Sequence, residues 1–586
     1  MNQSELLSKG QGHPKGLYIL FSTEMWERFN YYGMRAVLVL FCIKALKFQE
    51  SYADGMYGSY TSLVYLTPLI GGYIADRYWG NSRSIVTGGL VMALGEFILF
   101  FCGSVYASAP GLSQILFFSG LGLMIAGNGF FKPNISSLVG QLYPEGDKRK
   151  DAAYTIFYMG INTGGALGPL VLGILGDTGN PADFKWAFLA GGIGMLLSVL
   201  VQRLFQRQYV VSPEGVPLGT TPEGSPRATT RIFVIITGMI LFSALMIGLL
   251  YLDMIALKGL LSYLLVASVL FIAFVIFKDK TLTHIEKQRV TVIFIVAFFV
   301  VFFWSAFEQA GSTLTIFADR QTDRSLSVHV PKWIVYIISL GAVYGVYWIL
   351  QQTRRKLLPS DNRLKNTIYI LLGLVLGGLL YANYYLFTNG QPDISPKEVP
   401  ASLFQSLNSL FVVSFAPLFA WFWLKLGSKE PSSPTKMAIG LMFLALGYLW
   451  IAFGVKGVIP GMKVSMIWLT VMYMLHTFGE LSLSPIGLSL VNKLAPYKFA
   501  SLLMAVWFLA NAGANKLVGI IGALYPTEGK TTFFMGYRMH DTHDFFMLFV
   551  FMAGTASIIL FIITKWLQTM MHEHITIHEP AVIGEK

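Results

Sequence analysis

The chain has 586 residues, of which 54% are hydrophobic and only 13% are charged. A soluble protein of this size carries about a quarter charged residues, so this composition excludes a soluble globular protein. The formal net charge of +12 comes mostly from basic residues in short segments between apolar runs. That placement favours a membrane protein with basic cytoplasmic loops over a nucleic-acid-binding protein.

Apolar runs long enough to cross the ~30 Å hydrocarbon core of a bilayer recur from one end of the chain to the other. The runs are continuous rather than alternating, which predicts helices and excludes a membrane β-barrel. The predicted fold class is therefore an all-α polytopic membrane protein. The predicted spans are 17–46, 55–77, 84–106, 112–140, 152–176, 185–206, 232–252, 258–278, 290–318, 332–353, 365–387, 400–426, 434–455, 465–493, 499–525 and 543–567.

The first predicted span carries four charged residues, Glu24, Glu27, Arg28 and Arg35. At about 100° per residue they fall, with the neighbouring tyrosines, within an arc of roughly 140° on one helix face. A charge at the centre of a bilayer costs about 2.5–3.5 kcal/mol on insertion scales, so these side chains are expected to pair with one another and to face a polar interior. The pattern predicts a path for a solute or a proton.

A polar run closes the second span and opens the third. Residues 71–83 read Gly-Gly-Tyr-Ile-Ala-Asp-Arg-Tyr-Trp-Gly-Asn-Ser-Arg. Glycines permit a tight helix end and turn, and the charged residues suit the helix termini. This run resembles the loop signature of the major facilitator superfamily.

A segment rich in Pro and Gly, residues 212–227, is predicted to be a linker after the sixth span. Basic clusters at 148–150, 278–289 and 354–356 fall on one side of the membrane if the N-terminus is cytoplasmic, as the positive-inside rule requires. Both termini are therefore expected in the cytoplasm, and the expected location is a bacterial inner membrane. Because the start of the chain is polar, a cleavable signal peptide is not expected there.

Further motifs resemble a known family. Residues 24–33 match its E-x-x-E-R-F-x-Y-Y-G pattern without a gap. The other matching runs are Gly-Asn-Gly-Phe-Phe-Lys-Pro-Asn at 127–134, Phe-Tyr-Met-Gly-Ile-Asn-Thr-Gly at 157–164, Phe-Glu-Gln-Ala-Gly-Ser at 307–312, Phe-Gln-Ser-Leu-Asn at 404–408 with Pro417, Gly-Glu-Leu-Ser-Leu-Ser-Pro at 479–485 and Trp-Phe-Leu-Ala-Asn at 507–511. In this order they resemble the proton-dependent oligopeptide transporter family (POT/PTR) of the major facilitator superfamily.

The resemblance implies two six-helix bundles with an additional helix pair between them. A further pair at about 332–387 departs from the family pattern and brings the prediction to about 14–16 transmembrane helices. The resemblance divides the chain into an N-terminal bundle at 1–206, a linker with a helix pair at 207–289, and a C-terminal bundle at 290–586. Within the last region, about 332–387 is a further inserted helix pair, for which the sequence suggests only a peripheral role.

The resemblance also implies functional residues. A peptide is a zwitterion, so its site needs cations such as Arg35 and Lys132 and an anion such as Glu480. Arg35 and Glu308 are expected to form an ion pair that closes the outer gate. The implied proton-coupling and gating residues are Glu24, Glu27, Arg28, Arg35, Lys132, Glu308 and Glu480. The implied substrate-binding residues are Tyr31, Arg35, Tyr65, Lys132, Asn162, Trp304, Asn408, Glu480, Ser484 and Trp507.

Some polar positions allow more than one interpretation. Gly58 stands where animal members of the family have a histidine, so proton handling is expected to depend on carboxylates. His476 lies one turn before Glu480 and either tunes that glutamate or, as we favour, is a hydrogen-bonded packing residue. Glu96 in the third span is expected to have a structural partner on a neighbouring helix. The Asp-Arg pair at 319–320 is either solvated or helps to seal the outer side.

The predicted function is proton-coupled symport of di- and tripeptides by alternating access, with the proton carried by buried carboxylates. The alternative is another solute on the same fold, such as nitrate or a drug-like or glycosylated compound. An enzyme or an ATP-driven pump is not expected, because the sequence has neither a G-x-x-x-x-G-K-[ST] loop nor an H-E-x-x-H metal site. No cofactor or metal is expected, since the proton gradient supplies the energy. The expected partners are peptides, protons and the lipid bilayer, without nucleic acid, and the protein is expected to be monomeric.

Overall fold

The chain forms two units, Met1–Asp323 together with Pro400–Lys586, and Arg324–Val399. The structure, a computed structural model, describes residues 12–144, 146–147, 149–222, 232–257, 259–325, 398–458, 461–526 and 530–572, with a few single positions between 330 and 394.

The first unit is built from long helices. The N-terminal helices are α1 (Lys15–Lys44), α2 (Glu50–Leu66), α3 (Pro68–Ile74), α4 (Asn81–Val105), α5 (Pro110–Gln141), α6 (Arg149–Gly176) and α7 (Phe184–Tyr209). After the linker come α8 (Ile232–Tyr251) and α9 (Leu260–Lys278). The C-terminal helices are α10 (His284–Phe307), α11 (Thr313–Arg320), α12 (Gln405–Leu426), α13 (Ser433–Val455), α14 (Met466–Leu494), α15 (Ala500–Gly522) and α16 (Thr542–Met571).

Strands are confined to short pieces. They are β1 (Thr322–Asp323), β2 (Val330–Pro331), β3 (Asp393–Ile394), β4 (Val464–Ser465), β5 (Thr532–Phe534) and β6 (Tyr537–Met539). β1 pairs with β4 in parallel, while β2 pairs with β3 and β5 with β6 in antiparallel register.

Within the described residues, eleven helical segments are long and apolar enough to cross a membrane. The long helices α1 and α14, which carry most of the charged motif positions, lie outside those eleven. The predicted all-α polytopic fold is confirmed. The spans predicted at 332–353 and 365–387 lie outside the described residues.

The second predicted span is one helix broken at a proline. α2 ends at Leu66, and Pro68 takes the first position of α3. A backbone N–H at this position has no acceptor within the helix, so the N–H that proline lacks costs no hydrogen bond. A π-helical turn, Ala75–Trp79, then ends at Gly80, whose φ of +80° favours glycine. This turn is the predicted loop signature at 71–83.

In the N-terminal half, α1 packs against α6 and α7, and α4 packs against α5 and α7. The α1–α6 contact depends on glycine. A Cβ atom at Gly168 would lie 2.4 Å from the Phe29 carbonyl oxygen, and one at Gly33 would lie 2.6 Å from Leu172 Cδ2. Small residues let membrane helices approach this closely, and van der Waals contact then stabilises the pair.

In the C-terminal half, α13 packs against α14 and α16, and α10 packs against α15 and α16. Tyr448 of α13 ties this half together. Its hydroxyl donates a hydrogen bond to the Ala306 carbonyl oxygen at 2.7 Å, and its ring stacks on Phe549 with centroids 4.6 Å apart. The ring of the buried tyrosine is therefore packed against another aromatic ring, and its hydroxyl group has a hydrogen-bond partner.

The two halves meet where α2 packs on α15 and where α6 packs on α12. We call the first contact the α2–α15 seam. A Cβ atom at Gly58 would lie 2.6 Å from the Gly519 nitrogen, and one at Gly519 would lie 2.7 Å from the Asp54 carbonyl oxygen. The seam thus explains physically why Gly58 carries no side chain, since α2 and α15 touch backbone to backbone there.

The helix pair α8–α9 bridges the halves. α8 packs on α5 and α9 packs on α15. Their bounds agree with the spans predicted at 232–252 and 258–278 to within two residues.

In the second unit, Arg324–Val399, contacts close the two ends of the segment. The Val399 N–H donates to the Arg324 carbonyl oxygen at 2.9 Å, and Arg324 Nη2 lies 3.3 Å from Glu398 Oε2. The first and last residues of the segment therefore lie close together. This is what a segment inserted between two neighbouring elements of the chain requires. The division into bundles at 1–206, 207–289 and 290–586 stays a prediction.

Candidate functional site

The charged face of α1 is buried and internally paired. Arg28 Nε lies 2.7 Å from Glu24 Oε1, one helical turn earlier, and 3.2 Å from Glu27 Oε2. All three side chains are buried. The single guanidinium group therefore serves two carboxylates, which offsets the cost of removing the three charges from water.

The second layer of this cluster comes from α5. Asn128 Nδ2 donates to Glu27 Oε1 at 3.1 Å. One turn further, Lys132 places its ammonium group 4.2 Å from the centre of the Tyr65 ring. Glu27 and Glu24 lie within electrostatic range of this ammonium group.

Lys132 is grouped with Glu24 and Glu27 among the implied proton-coupling residues, but its position differs from a direct ion pair with these carboxylates. In the described residues its recorded contact is the cation–π contact with Tyr65, without an ion pair. An aromatic face attracts the ammonium group but is no counter-ion, so the charge of Lys132 stays available to an incoming anion.

Arg35 and Glu308 form the predicted ion pair. Arg35 Nη1 donates to Glu308 Oε2 at 2.5 Å, and the two side chains are 8% and 5% exposed. Glu308 begins a 3₁₀ turn, Glu308–Gly311, that follows α10. A Cβ atom at Gly311 would lie 2.0 Å from the Tyr57 hydroxyl oxygen, so this turn needs glycine to fit beside α2. The pair joins the N-terminal to the C-terminal half.

The C-terminal half supplies a second carboxylate, Glu480 on α14. Asn408 Nδ2 of α12 donates to Glu480 Oε2 at 2.8 Å and lies 3.1 Å from Thr477 Oγ1. The Glu480 side chain is half-buried, unlike that of Glu308. The asparagine orients the carboxylate without neutralising it.

Tyr32 connects these charges. Arg35 Cζ lies 5.0 Å from the centre of its ring, and the ring of Tyr31 packs edge-on at 5.3 Å. Tyr32 is within electrostatic range of Arg28, Arg35, Glu308 and Glu480. The charged groups of α1, of the turn after α10 and of α14 are thus brought together around this phenol.

The remaining predicted site residues are placed less directly. Asn162 Nδ2 donates to the Tyr158 carbonyl oxygen of its own helix at 3.0 Å. Trp304 packs edge-on against Phe307 at 5.2 Å. Trp507 lies over the backbone of α14, and the side chain of Ser484 is outside the described part of the chain.

Two expectations can now be assessed. His476 is buried against Tyr448, with ring centroids 4.7 Å apart, and lies beside Gly447, so the packing interpretation is the one observed. Glu96 is wholly buried against Gly191 and Gly192 of α7. The expectation that Glu96 has a structural partner was wrong, because in the described residues neither of its carboxylate oxygens has a hydrogen-bond partner.

Ion pairs close the side on which α1 ends and α2 begins, here called the closed side. The sequence left sealing by Asp319 and Arg320 open, without indicating Lys44 or Glu50 as their partners. Lys44 Nζ lies 2.7 Å from Asp319 Oδ1 and 3.3 Å from Asp177 Oδ1, while Arg320 pairs with Glu50. Asp319 and Arg320 therefore seal this side. The available signal was only their position at helix ends.

Buried charges from both halves around one central group, in a mostly helical chain that spans the membrane many times, define a membrane transporter. The POT family profile matches residues 82–338 and 388–535 of the chain. The chain belongs to the POT family, and the expectation of a transporter rather than an enzyme is confirmed.

Individual relatives agree with this assignment. The peptide transporter YePEPT of Yersinia enterocolitica subsp. palearctica is 31% identical over 529 residues, which cover 87% of this chain and 88% of the relative. A di-/tripeptide transporter of Lactococcus lactis subsp. cremoris is 29% identical over 537 residues, covering 89% and 92%. The crystal structure of a POT peptide transporter in complex with alafosfalin has a TM-score of 0.70 and 28% identity, covering 98% of this chain and 100% of that one.

The geometry of the α1 cluster predicts a stability effect. Arg28→Met leaves Glu24 and Glu27 without their cation, and removal of one partner from a buried ion pair lowers the free energy of unfolding by about 3–5 kcal/mol. Thermal unfolding in detergent, followed by tryptophan fluorescence, should show a clear drop in Tm.

The matched control is Lys498→Gln, which removes the exposed Lys498–Asp279 ion pair (2.6 Å) and should leave Tm nearly unchanged. Equal Tm values for Arg28→Met and Lys498→Gln would contradict the pairing described for Arg28.

Proposed function

We propose that this protein is a proton-coupled symporter of di- and tripeptides that works by alternating access in a bacterial inner membrane. The main support for this proposal is the buried Arg35–Glu308 ion pair, which joins the two halves within electrostatic range of a second carboxylate, Glu480. An ion pair across a moving interface is a place where a proton and a charged substrate can both act.

The charge distribution supports a zwitterionic substrate. The N-terminal half offers the cations Arg35 and Lys132, and the C-terminal half offers the carboxylate Glu480. A peptide carboxylate and amine placed between them would draw the halves together. Nitrate would satisfy the cations alone and leave Glu480 facing a negative ion.

The relatives support a peptide as the zwitterion. One is named as a peptide transporter and another as a di-/tripeptide transporter, and both come from bacteria. We extend that substrate class and an inner-membrane location to this chain.

Proton coupling is assigned to carboxylates. Protonation of Glu308 removes its charge and weakens its hold on Arg35, which frees the guanidinium group for the substrate carboxylate. Glu24 and Glu27 offer further proton positions beside the same helix face. No cofactor is needed, since the proton gradient supplies the energy.

The closed side is assigned to the cell exterior. The ion pairs of Lys44 and Arg320 and the Arg35–Glu308 pair all lie toward the end of α1. With the N-terminus in the cytoplasm, that end faces outward, and the described state is closed to the outside. Both termini are then cytoplasmic, and the protein is proposed to act as a monomer.

A competition assay tests the substrate class. The protein is reconstituted in liposomes with an inward proton gradient, and uptake of labelled dialanine is measured against unlabelled alanine, dialanine, trialanine, tetraalanine and nitrate. Dialanine and trialanine should compete, whereas alanine, tetraalanine and nitrate should not. Protein-free liposomes are the control. Competition by nitrate but not by trialanine would assign the protein to the alternative solute class.

The amine contact is tested at Glu480. Glu480→Gln keeps the hydrogen-bonding shape but removes the negative charge, so it should weaken dialanine binding by about tenfold or more, the loss expected for a charge-assisted hydrogen bond. N-acetyldialanine has no charged amine and should lose much less affinity. Competition curves with both ligands on the native protein and the variant give the two ratios. An equal loss for both would remove Glu480 from amine recognition.

The coupling step is tested at Glu308. Glu308→Gln imitates the protonated carboxyl, so the variant should keep counterflow exchange of dialanine while losing its proton-driven accumulation. Both are measured in the same vesicles. Glu430→Gln, which changes an exposed carboxylate paired with Lys436, is the matched control and should keep both activities. Accumulation by Glu308→Gln against a dialanine gradient would place the proton on another carboxylate.

A further inference from the structure

The helix pair α8–α9 carries a buried carboxylate that the transport site does not use. α8 ends at Tyr251, and a π-helical turn, Leu252–Ala256, follows it. Asp253 in this turn is 2% exposed. A charge this deeply buried needs partners, and its side-chain partners come from outside its own helix pair.

The partners of Asp253 come from both halves of the first unit. Asp253 forms an ion pair with Lys516 of α15, and its Oδ2 accepts a hydrogen bond from Ser59 Oγ of α2 at 2.6 Å. Lys516 Nζ also donates to Ser59 Oγ at 2.8 Å. The other carboxylate oxygen, Oδ1, accepts from the Leu261 N–H at 2.9 Å, which fixes Asp253 within the pair.

These three side chains, Asp253, Lys516 and Ser59, lie beside the α2–α15 seam. Ser59 follows Gly58, and Lys516 lies one turn before Gly519, the two glycines at which the helices touch. The charged side chains are 1% and 9% exposed for Asp253 and Lys516. The triad therefore joins three elements at a contact between the two halves.

We propose that α8–α9 is a latch on the closed side, in which Asp253 holds Lys516 and Ser59 together and so stabilises the closed α2–α15 seam. This inference rests on the proposed alternating access. Opening the seam separates Ser59 from Lys516, and at least one contact of the triad must break. Asp253 and Lys516 are positioning residues, because they act on the seam without touching the substrate.

The packing of the pair favours this role over simple attachment. α8 lies on α5 of the N-terminal half, and α9 lies on α15 of the C-terminal half. A helix pair fixed to one half would move with it and leave the seam unaffected. A pair in contact with both halves resists their separation, and the buried ion pair supplies the specific contact.

A distance measurement tests the latch without any substrate. Cys42 and Cys102, both buried, are replaced by alanine, and spin labels are attached at Gln49→Cys and Lys530→Cys, which are exposed on the closed side in the N-terminal and C-terminal halves. Pulsed electron paramagnetic resonance gives the populations of short and long label separations. Asp253→Asn should raise the long-to-short ratio about tenfold, and Ser59→Ala should raise it less.

The charge swap Asp253→Lys with Lys516→Asp should restore the short separation, because the ion pair is rebuilt with reversed polarity. The matched control is Asp279→Asn, which removes the exposed Asp279–Lys498 pair between the end of α9 and the start of α15 without touching α2. It should leave the distribution unchanged.

Two results would overturn the latch: an unchanged distribution in both Asp253→Asn and Ser59→Ala, or an equal shift in Asp279→Asn. Should Asp253→Asn fail to fold, Ser59→Ala decides alone. A failure of peptide uptake would refute the proposed function but leave these distances, and the latch, intact.

Discussion

The cost of placing charge inside a membrane governs which helices of this protein meet. Arg28 binds two carboxylates, Arg35 binds Glu308, and Lys516 binds Asp253. The first set lies within one helix and needs no other element, whereas the other two pairs join separate parts of the chain. Because an isolated buried charge is so unfavourable, neither of these two pairs can open unless another ion, a proton or water takes the place of the lost partner. The cost of an unpaired buried charge holds the closed side together. For the same reason, the closed side can open only when another group replaces the lost partner.

Moving helices must also pack closely and still be able to separate, and glycine allows both. Within the N-terminal half, Gly33 and Gly168 bring α1 onto α6, and between the halves Gly58 and Gly519 bring α2 onto α15. Contact between flat glycine surfaces has no interlocking side chains to extract, so it suits an interface between bodies that rock against each other. The specific strength of the seam must then come from polar contacts at its edges rather than from the seam itself.

The sequence alone predicted the parts of this structure that depend on one helix or on hydrophobic length. The spans followed from apolar runs, the pairing around Arg28 followed from helical spacing, and the Arg35–Glu308 pair followed from the family resemblance. Contacts set by the rotation of one helix against another did not follow. Lys132 faces Tyr65, Glu96 lies against glycines without a partner, and Asp253 reaches Lys516 263 positions away in the chain. No local periodicity encodes such lateral packing, since it emerges only when all helices are in place.

The two ion pairs that cross moving parts differ in what can release them. Arg35–Glu308 lies beside Tyr32 and within electrostatic range of Glu480, so a peptide or a proton at the site can compete for either partner. Asp253 and Lys516 lie at the edge of the α2–α15 seam, where Ser59 and the Leu261 N–H complete their hydrogen bonds and no substrate group is needed. A ligand can shift an equilibrium only by its differential affinity for the two states. In the proposed mechanism the first pair carries the coupling, while in the proposed latch the second pair sets the balance of closed and open states against which the coupling acts. A latch of a few kcal/mol would keep the closed state dominant until both the proton and the peptide contribute, which is the behaviour that obligatory symport requires.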